Sequence, residues 1–323
     1  MIDIQSIRGL VPPNKKIRFV GLGCGMYIPQ LLMGAGSSRW LHSITIPYAK
    51  EATEELCTKN DSKFVSKDRL EDLMDSLPVV GHDIITIAVT ASLAFEGQRE
   101  GRINKFLMLI EHNGERFFKD IEFSGIRRFT NTRKLQEKSI CQSITTYFRD
   151  KRSVIYAGSF NPMHDGHVEI CQHIRDANIT SHPFVVQLSS THPEKGTTPQ
   201  EELDIRVADV RSNFYRVCLD YYDIEIVEAP YYASKYALWK ESSSPTEFLT
   251  LVVGHDVWDR YKKGFIKKLG DKDDVEFLVV DRGNKTPFND SDLLDIMNPL
   301  SYAHEMKNAH LSSTQIRNQT KSE

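Results

Sequence analysis

Cysteine is scarce and scattered. The chain's 323 residues hold five, Cys24, Cys57, Cys141, Cys171 and Cys218. Their number is odd and no two stand in a C-x-x-C spacing, which argues against a disulfide framework or a zinc site. Free thiols in a reducing compartment, the cytoplasm, are expected. Long apolar runs are missing as well. The opening "MIDIQSIRGLVPPNKK" has neither a hydrophobic segment nor an Arg/Ser-rich amphipathic pattern, so no leader, membrane span or membrane partner is expected. Positive charge is not in excess either. Lys and Arg number 41 against 44 Asp and Glu, a net charge of −3, which gives no basic footprint for nucleic acid. There is no internal repeat, and the only polar tract is a short loop, "KESSSP".

What remains is the composition of a folded globular protein, 40% apolar and 26% charged. Its length suits two domains. Strand-like runs occur at "IRFVGLG" (17–23), "LHSITIPY" (41–48) and "HDIITIAVTASL" (82–93), the last β-branched and uncharged enough to be covered on both faces. "KEATEELC" reads as a helix. Ser66 can cap a second helix, "KDRLEDLMDSL", with Leu70, Leu73 and Met74 at helical spacing. "INKFLMLIEHNGERFFKDIEFSG" reads as a hairpin turning at Asn113-Gly114. A long helix, "RRFTNTRKLQEKSICQSITTYFRD", then leads to a charged junction at 150–152, the expected domain boundary.

Beyond it, "SVIYAG", "FVVQLSS", "YDIEIVEA", "EFLTLVVG" and "DVEFLVVDRG" are strands with helical stretches between most of them. That order implies parallel strands, right-handed crossovers and a doubly wound sheet. The fold class is therefore α/β with two domains, 1–150 and 151–323, the second Rossmann-like.

The first strand of the second domain runs into "GSFNPMHDGH", residues 158–167. A glycine-bearing turn between a parallel strand and its helix is where such sheets hold phosphate. Gly158 is expected to let the chain turn and a ligand approach, and Pro162 to stiffen the turn. His164 and His167 are three residues apart at a helix start, so their imidazoles can project together and donate to phosphate oxygens. Far along the chain, "HLSSTQIR" offers Ser312, Ser313 and Thr314 as caps of another helix start, with Arg317 in its first turn. Two such starts in one domain point to a nucleoside triphosphate. Arg282, just past a strand's carboxyl end, is placed to reach the same crevice. Arg206 and Arg211 sit on a charged helix and read as solvated.

Residues 153–317 resemble the nucleotidyltransferases with an H-x-G-H signature, in particular the nicotinamide or nicotinate mononucleotide adenylyltransferases. "GSFNPMHDGH" is similar to their first motif, "LSSTQIR" to their last, and "VVGHDVWDR" to their G-x-D segment. The resemblance implies transfer of AMP from ATP, with Mg²⁺, to a pyridine mononucleotide, giving NAD or its deamido form and pyrophosphate. It implies catalytic roles for His164, His167, Lys195 and Arg317. Gly158, Ser159, Phe160, Gly254, Asp256, Ser312, Ser313 and Thr314 would contact ATP. No protein-held metal is implied, and the partners are small molecules. Asn161 favours the pyridine branch over pantetheine-phosphate and cytidylyl enzymes, which remain the alternatives. The paired-tryptophan segment of the pyridine branch has no match, leaving Tyr231, Tyr232, Trp239 and Trp258 as candidates to stack on the ring. Asn161, Tyr231, Tyr232, Trp258 and Arg282 are the substrate-binding candidates.

Residues 17–149 resemble the CinA C-terminal domain, a nicotinamide-mononucleotide amidase. "GAGSSRWLHSITIPYAKEA" is similar to that family's G-S-S and Y-S-N-E-A-K segments, with Tyr48, Glu51 and Ala52 on matching positions. "FVS" (64–66) is similar to its A-V-S, and "IAVTASLAF" stands in place of its glycine-rich V-T-G-I-A-G-P. Gly21 occupies the place of its serine and Thr53 that of its lysine. Neither can do the work of an activated nucleophile pair. Cys24 stands three residues on, either as a substitute nucleophile or as a small buried hydrophobe. The expectation is a degenerate domain that binds mononucleotide or serves as a structural or homo-oligomerising module. A working amidase, making the chain bifunctional, is the other reading.

Overall fold

A computed structural model describes residues 7, 9–12, 14–34, 36–57, 63–78, 81, 83–94, 103–123, 132–192, 196–270 and 272–280. The chain divides into two compact units, Met1–Tyr147 and Phe148–Glu323. Among the described residues no helix is long and apolar enough to cross a membrane.

The first unit is built on a five-stranded sheet of β1 (Lys16–Leu22), β2 (Leu41–Thr45), β3 (Ile84–Ser92), β4 (Lys105–His112) and β5 (Glu115–Glu122), in the order β2-β1-β3-β4-β5. The first three strands are parallel, and β4 and β5 join antiparallel. Seven consecutive residues of β3 are buried, as its uncharged run requires. Helices α1 (Ile28–Leu32), α2 (Lys50–Leu56) and α3 (Lys67–Ser76) follow the parallel strands. Ser66 caps α3, its Oγ accepting the Arg69 amide at 3.2 Å. Leu70, Leu73 and Met74 then face Val20, Leu22, Ala88, Leu107 and Leu109 in one apolar cluster. Each such side chain taken from water is worth about 1.5–3 kcal/mol. Asn113 (φ 50°) and Gly114 (φ 81°) turn the hairpin in the left-handed region, as expected for an Asn-Gly corner. Helix α4 (Thr132–Asp150) carries the chain onward, and the division between the units falls inside its last turn.

The second unit is a wholly parallel sheet of β6 (Arg152–Gly158), β7 (Phe184–Ser189), β10 (Tyr222–Val227), β11 (Phe248–Gly254) and β12 (Val275–Val280), in the order β10-β7-β6-β11-β12. Between β7 and β10 a two-residue pair, β8 (Thr191–His192) with β9 (Gly196–Thr197), adds a small ladder that the sequence reading had not marked. The helices are α5 (Asp165–Ala177), α6 (Gln200–Arg216), α7 (Tyr232–Ser242) and α8 (His255–Leu269). Strand order reverses between β6 and β11, so the crevice at their carboxyl ends is the switch point where doubly wound sheets bind ligands. All residues of β11 and β12 are buried. Leu249, Leu251, Val253, Phe277 and Val279 form one face of the core, covered by α7 and α8 through Ala233, Tyr236, Trp239 and Trp258.

A polar cluster is built into this core. Arg152, at the start of β6, is completely enclosed and ion-paired to Glu276 of β12, also enclosed. Thr250 of the intervening β11 accepts from Arg152 at 2.7 Å and donates to Glu276 at 2.6 Å. The guanidinium lies 4.5 Å from the centre of the Phe248 ring.

Candidate active site

The site begins where β6 ends. Gly158 does not have a left-handed backbone; Phe160 does, with φ 43°. Gly158 therefore does not serve the turn through a left-handed backbone. A Cβ at Gly158 would lie 2.9 Å from the Phe160 ring, so its glycine makes room for that ring to fold back. Phe160 is buried and meets Tyr156 edge-on at 5.2 Å and His167 edge-on at 5.2 Å. The Asn161–Pro162 peptide is cis. His164 then caps α5 in extended conformation and His167 is the third residue of that helix.

The sequence expectation of two imidazoles side by side matches this geometry. Their rings stack with centroids 3.8 Å apart and planes 30° from parallel. The His164 amide donates to His167 Nδ1 at 3.4 Å. In the neutral ring that leaves the proton on Nε2, the nitrogen directed away from the cap, as a hydrogen-bond donor. Tyr156, Phe160 and the helix cap together fix the orientation of His167.

A polar stripe on α6 braces the turn. Glu202, Arg206, Asp209, Asn213 and Arg216 are spaced four, three, four and three apart, which puts them on one helix face. Asn161 Nδ2 donates to Glu202 Oε1 at 3.0 Å, and Arg206 bonds that carboxylate at 2.5 Å and the Ser159 carbonyl at 3.3 Å. Arg206 beside it holds the Glu202 carboxyl below its ordinary value, with Asn161 assisting. Asp209 Oδ2 accepts the Met163 amide at 2.7 Å, and its Oδ1 accepts from Asn213 at 3.0 Å. Arg216 bonds Asn213 and pairs with Asp165. Arg206 is thus a brace rather than the solvated charge its helix suggested, and the Asn161 amide is committed to the turn. The stripe's spacing was visible in the sequence, but such spacing also describes any solvated helix face.

On the other side of the switch point, Gly254 ends β11 beside β6, two residues beyond the register pair Tyr156–Val252. Asp256 lies in the first turn of α8, with its side chain outside the described residues. Trp258 is fully buried and packs against Phe277 at 5.3 Å. The reading of Trp258 as a ring-stacking residue is corrected, because the inward face of α8 has claimed it for the core. Trp239 also packs into that core cluster. Tyr232 is partly used in the same way, its ring edge-on to Phe277 and its hydroxyl donating to the Ala157 carbonyl at 3.4 Å. Tyr231 is half exposed, with Lys268 Nζ 5.3 Å from its ring centre. Lys195, Arg282, Ser312, Ser313, Thr314 and Arg317 lie outside the described residues.

Lys235 also belongs to this end of the sheet, and no motif in the sequence marks it. This residue of α7 is 3% exposed, and its Nζ donates to Ser189 Oγ at the end of β7 at 2.8 Å. Burial pushes its ammonium down to about 8.

The corresponding turn of the first unit, behind β1, is filled from within. Glu137 of α4 is fully buried, and its carboxylate accepts the amides of Met26 (3.1 Å), Tyr27 (2.7 Å) and Ile28 (3.1 Å) and the Arg133 Nε (3.2 Å). A Cβ at Gly21, the position of the resembled family's serine, would lie 2.7 Å from Cys24 Sγ and 2.8 Å from the Phe19 ring. Thr53 is buried and bonds its own helix at Ala49. Cys24 is buried, and burial together with the Glu137 charge pushes its thiol far above the ordinary range.

A parallel α/β unit with stacked imidazoles behind its first strand, at the sheet's switch point, is the frame of an H-x-G-H nucleotidyltransferase. No protein-family profile matches the chain. It is 30% identical over 177 residues to a probable nicotinate-nucleotide adenylyltransferase of Staphylococcus saprophyticus, covering 53% of this chain and 86% of the relative. The chain belongs to the nicotinate-nucleotide adenylyltransferase family. Among solved structures, a Plasmodium falciparum nicotinic acid mononucleotide adenylyltransferase complexed with NaAD aligns with a TM-score of 0.40 and 19% identity, over 52% of this chain and 83% of that one. A Klebsiella pneumoniae competence damage-inducible protein A aligns with a TM-score of 0.37 and 14% identity, over 46% of this chain and 96% of that one.

Proposed function

We propose that the second unit transfers AMP from ATP to a pyridine mononucleotide, yielding a dinucleotide of the NAD type and pyrophosphate. The observation that carries this reading is the stacked, capped His164–His167 pair at the carboxyl end of β6. The acceptor's phosphate is already anionic and attacks the α-phosphorus in line, so no protein nucleophile or general base is required. Catalysis consists of holding the two phosphates together and stabilising charge on the α-phosphate and the departing pyrophosphate. His164 and His167 donate to those oxygens, and Lys195 and Arg317 add positive charge. Gly158, Ser159, Phe160, Gly254, Asp256 and the Ser312–Thr314 hydroxyls frame the nucleotide. Mg²⁺ enters as part of the MgATP substrate, on the triphosphate's own oxygens. The free thiols suit a reducing compartment, and we place the protein in the cytoplasm.

The first unit is read as having no amidase activity. Gly21 has no space for a hydroxymethyl side chain, Thr53 cannot serve as a base, and Cys24 is held as a thiol. Pantetheine-phosphate and cytidylyl chemistry are the competing readings for the second unit. The test is to incubate the full-length protein with ATP and a panel of phosphate acceptors and determine product masses. An adenylylated pyridine nucleotide is expected, with release of pyrophosphate. Full activity of both His164→Ala and His167→Ala would overturn the mechanism, and a product from another acceptor only would overturn the substrate. Ammonia release from nicotinamide mononucleotide would overturn the reading of the first unit.

A further inference from the structure

We propose that Lys235 reads the charge on the acceptor's ring, pairing its ammonium with a pyridine carboxylate and so selecting the acid over the amide. This rests on the pyridine-mononucleotide reading above. Lys235 lies in the first turn of α7 and is almost wholly enclosed. Among the described residues its ammonium bonds Ser189 Oγ, which itself donates to the Ala229 carbonyl at 3.0 Å. An ammonium has three N–H donors, so Ser189 accounts for one. Among the described residues no carboxylate forms an ion pair with it. Glu225 of β10 acts on it only through space, while that carboxylate accepts from Gln187 at 3.2 Å. A buried charge without an ionic partner is costly. Methionine would fill similar volume without that cost, so packing alone does not call for a lysine here.

Location assigns the charge to one end of the substrate. Tyr232 and Lys235 are three apart on α7 and reach Ala157 of β6 and Ser189 of β7, respectively. That turn therefore spans the carboxyl ends of neighbouring strands. Side chains alternate across a sheet. Tyr156 faces the imidazoles, whereas Ile155 and Ala157 face the cluster covered by α7 and α8. The histidines and Lys235 thus stand at the same end of the sheet, on opposite faces. A mononucleotide carries phosphate and base at opposite ends. With its phosphate beside the imidazoles, its ring is the part that reaches α7.

The experiment measures kcat and KM of the full-length protein, at saturating ATP, for nicotinate and nicotinamide mononucleotides. The proteins are wild type, Lys235→Met, Lys235→Gln and Ser189→Ala, each with a thermal melt. The wild type is expected to prefer the acid. Lys235→Met should cut the acid-to-amide ratio of kcat/KM by about 10- to 100-fold, through the KM for the acid. Ser189→Ala should cut it by about 3- to 10-fold. The Tm of Lys235→Met should stay level or rise, because a desolvated charge has gone; a purely structural lysine would lower it. Equal losses on both acceptors, an unchanged ratio or a wild-type preference for the amide would overturn the proposal. If Lys235→Met does not fold, the same criteria apply to Lys235→Gln. A wild type inactive on both acceptors overturns the parent reading, whereas an active wild type whose ratio ignores Lys235 overturns this proposal alone.

Discussion

Behind β1, three backbone amides converge on the carboxylate of Glu137, a residue from 109 or more positions further along the chain. Behind β6, the equivalent position in the second sheet ends in two imidazoles stacked over a helix start. Both are strand-to-helix turns at the carboxyl end of a parallel sheet, the usual place for an anion. In the first, the protein supplies the anion itself and seals it in with Arg133. In the second, the internal bonds run backward, from the α6 stripe to Asn161, Met163 and the Ser159 carbonyl, and they hold the turn's shape. The comparison teaches that polar satisfaction can close a site or brace one, depending on which atoms it uses.

The largest effect should come from the second turn's imidazoles. His164→Ala or His167→Ala should lower kcat for adenylyl transfer by about 10²- to 10³-fold, as removal of a transition-state donor does elsewhere, with thermal melts near wild type. Next comes the brace. Asp209→Ala, which strips the Met163 amide of its acceptor, should cost about tenfold or more in kcat. Asp209→Asn keeps an acceptor and should recover most of it. If the two variants were equally impaired, the carboxylate's charge rather than its hydrogen bond would be what matters. In the first turn the sign of the comparison reverses. Glu137→Ala should destabilise by about 3–5 kcal/mol, taking the acceptor from the Arg133 Nε and from three amides, yet change adenylyl transfer less than twofold. Ligand-like behaviour, with activity lost and stability kept, would break the contrast.

The smallest effect concerns pH. Burial lowers the Lys235 ammonium from an ordinary 10.5 to about 8, with the Glu225 charge opposing that shift. The ammonium is present at pH 7 and largely gone by about pH 9. KM for the acid acceptor should therefore rise several-fold over that interval, with the amide's unaffected. Stability runs the other way. The unfolded chain holds this proton more tightly, so the penalty is complete below about 8 and fades as pH climbs toward 10.5. Lys235→Met should flatten that rise in a series of melts.

Much of the fold was legible because local chemistry and tertiary need agreed. Ser66 ahead of "KDRLEDLMDSL", Asn113-Gly114 between two apolar runs, and the β-branched "IITIAVTAS" each admit few structures. The histidines were legible for the same reason, crowded by glycine and proline behind a strand. What escaped depended on partners distant in sequence. Glu137 reads as one more charge on a helix until its amides arrive, and Asp209 gains meaning only from Met163, 46 residues earlier. Trp258 misled in the opposite direction. An aromatic after a ligand-bearing turn invites a stacking role, and only the packing of α8 on Phe277 shows where its ring went.

The enclosed Arg152–Glu276 pair constrains how this chain can drift over evolutionary time. Losing either member strands an opposite charge in the middle of a parallel sheet, at a cost of about 3–5 kcal/mol, while exchanging both for fitted apolar residues is close to neutral. The two positions are therefore coupled across 124 residues of sequence, with Thr250 as witness between them. Among relatives, arginine here without glutamate there should be rare, and departures should come in pairs.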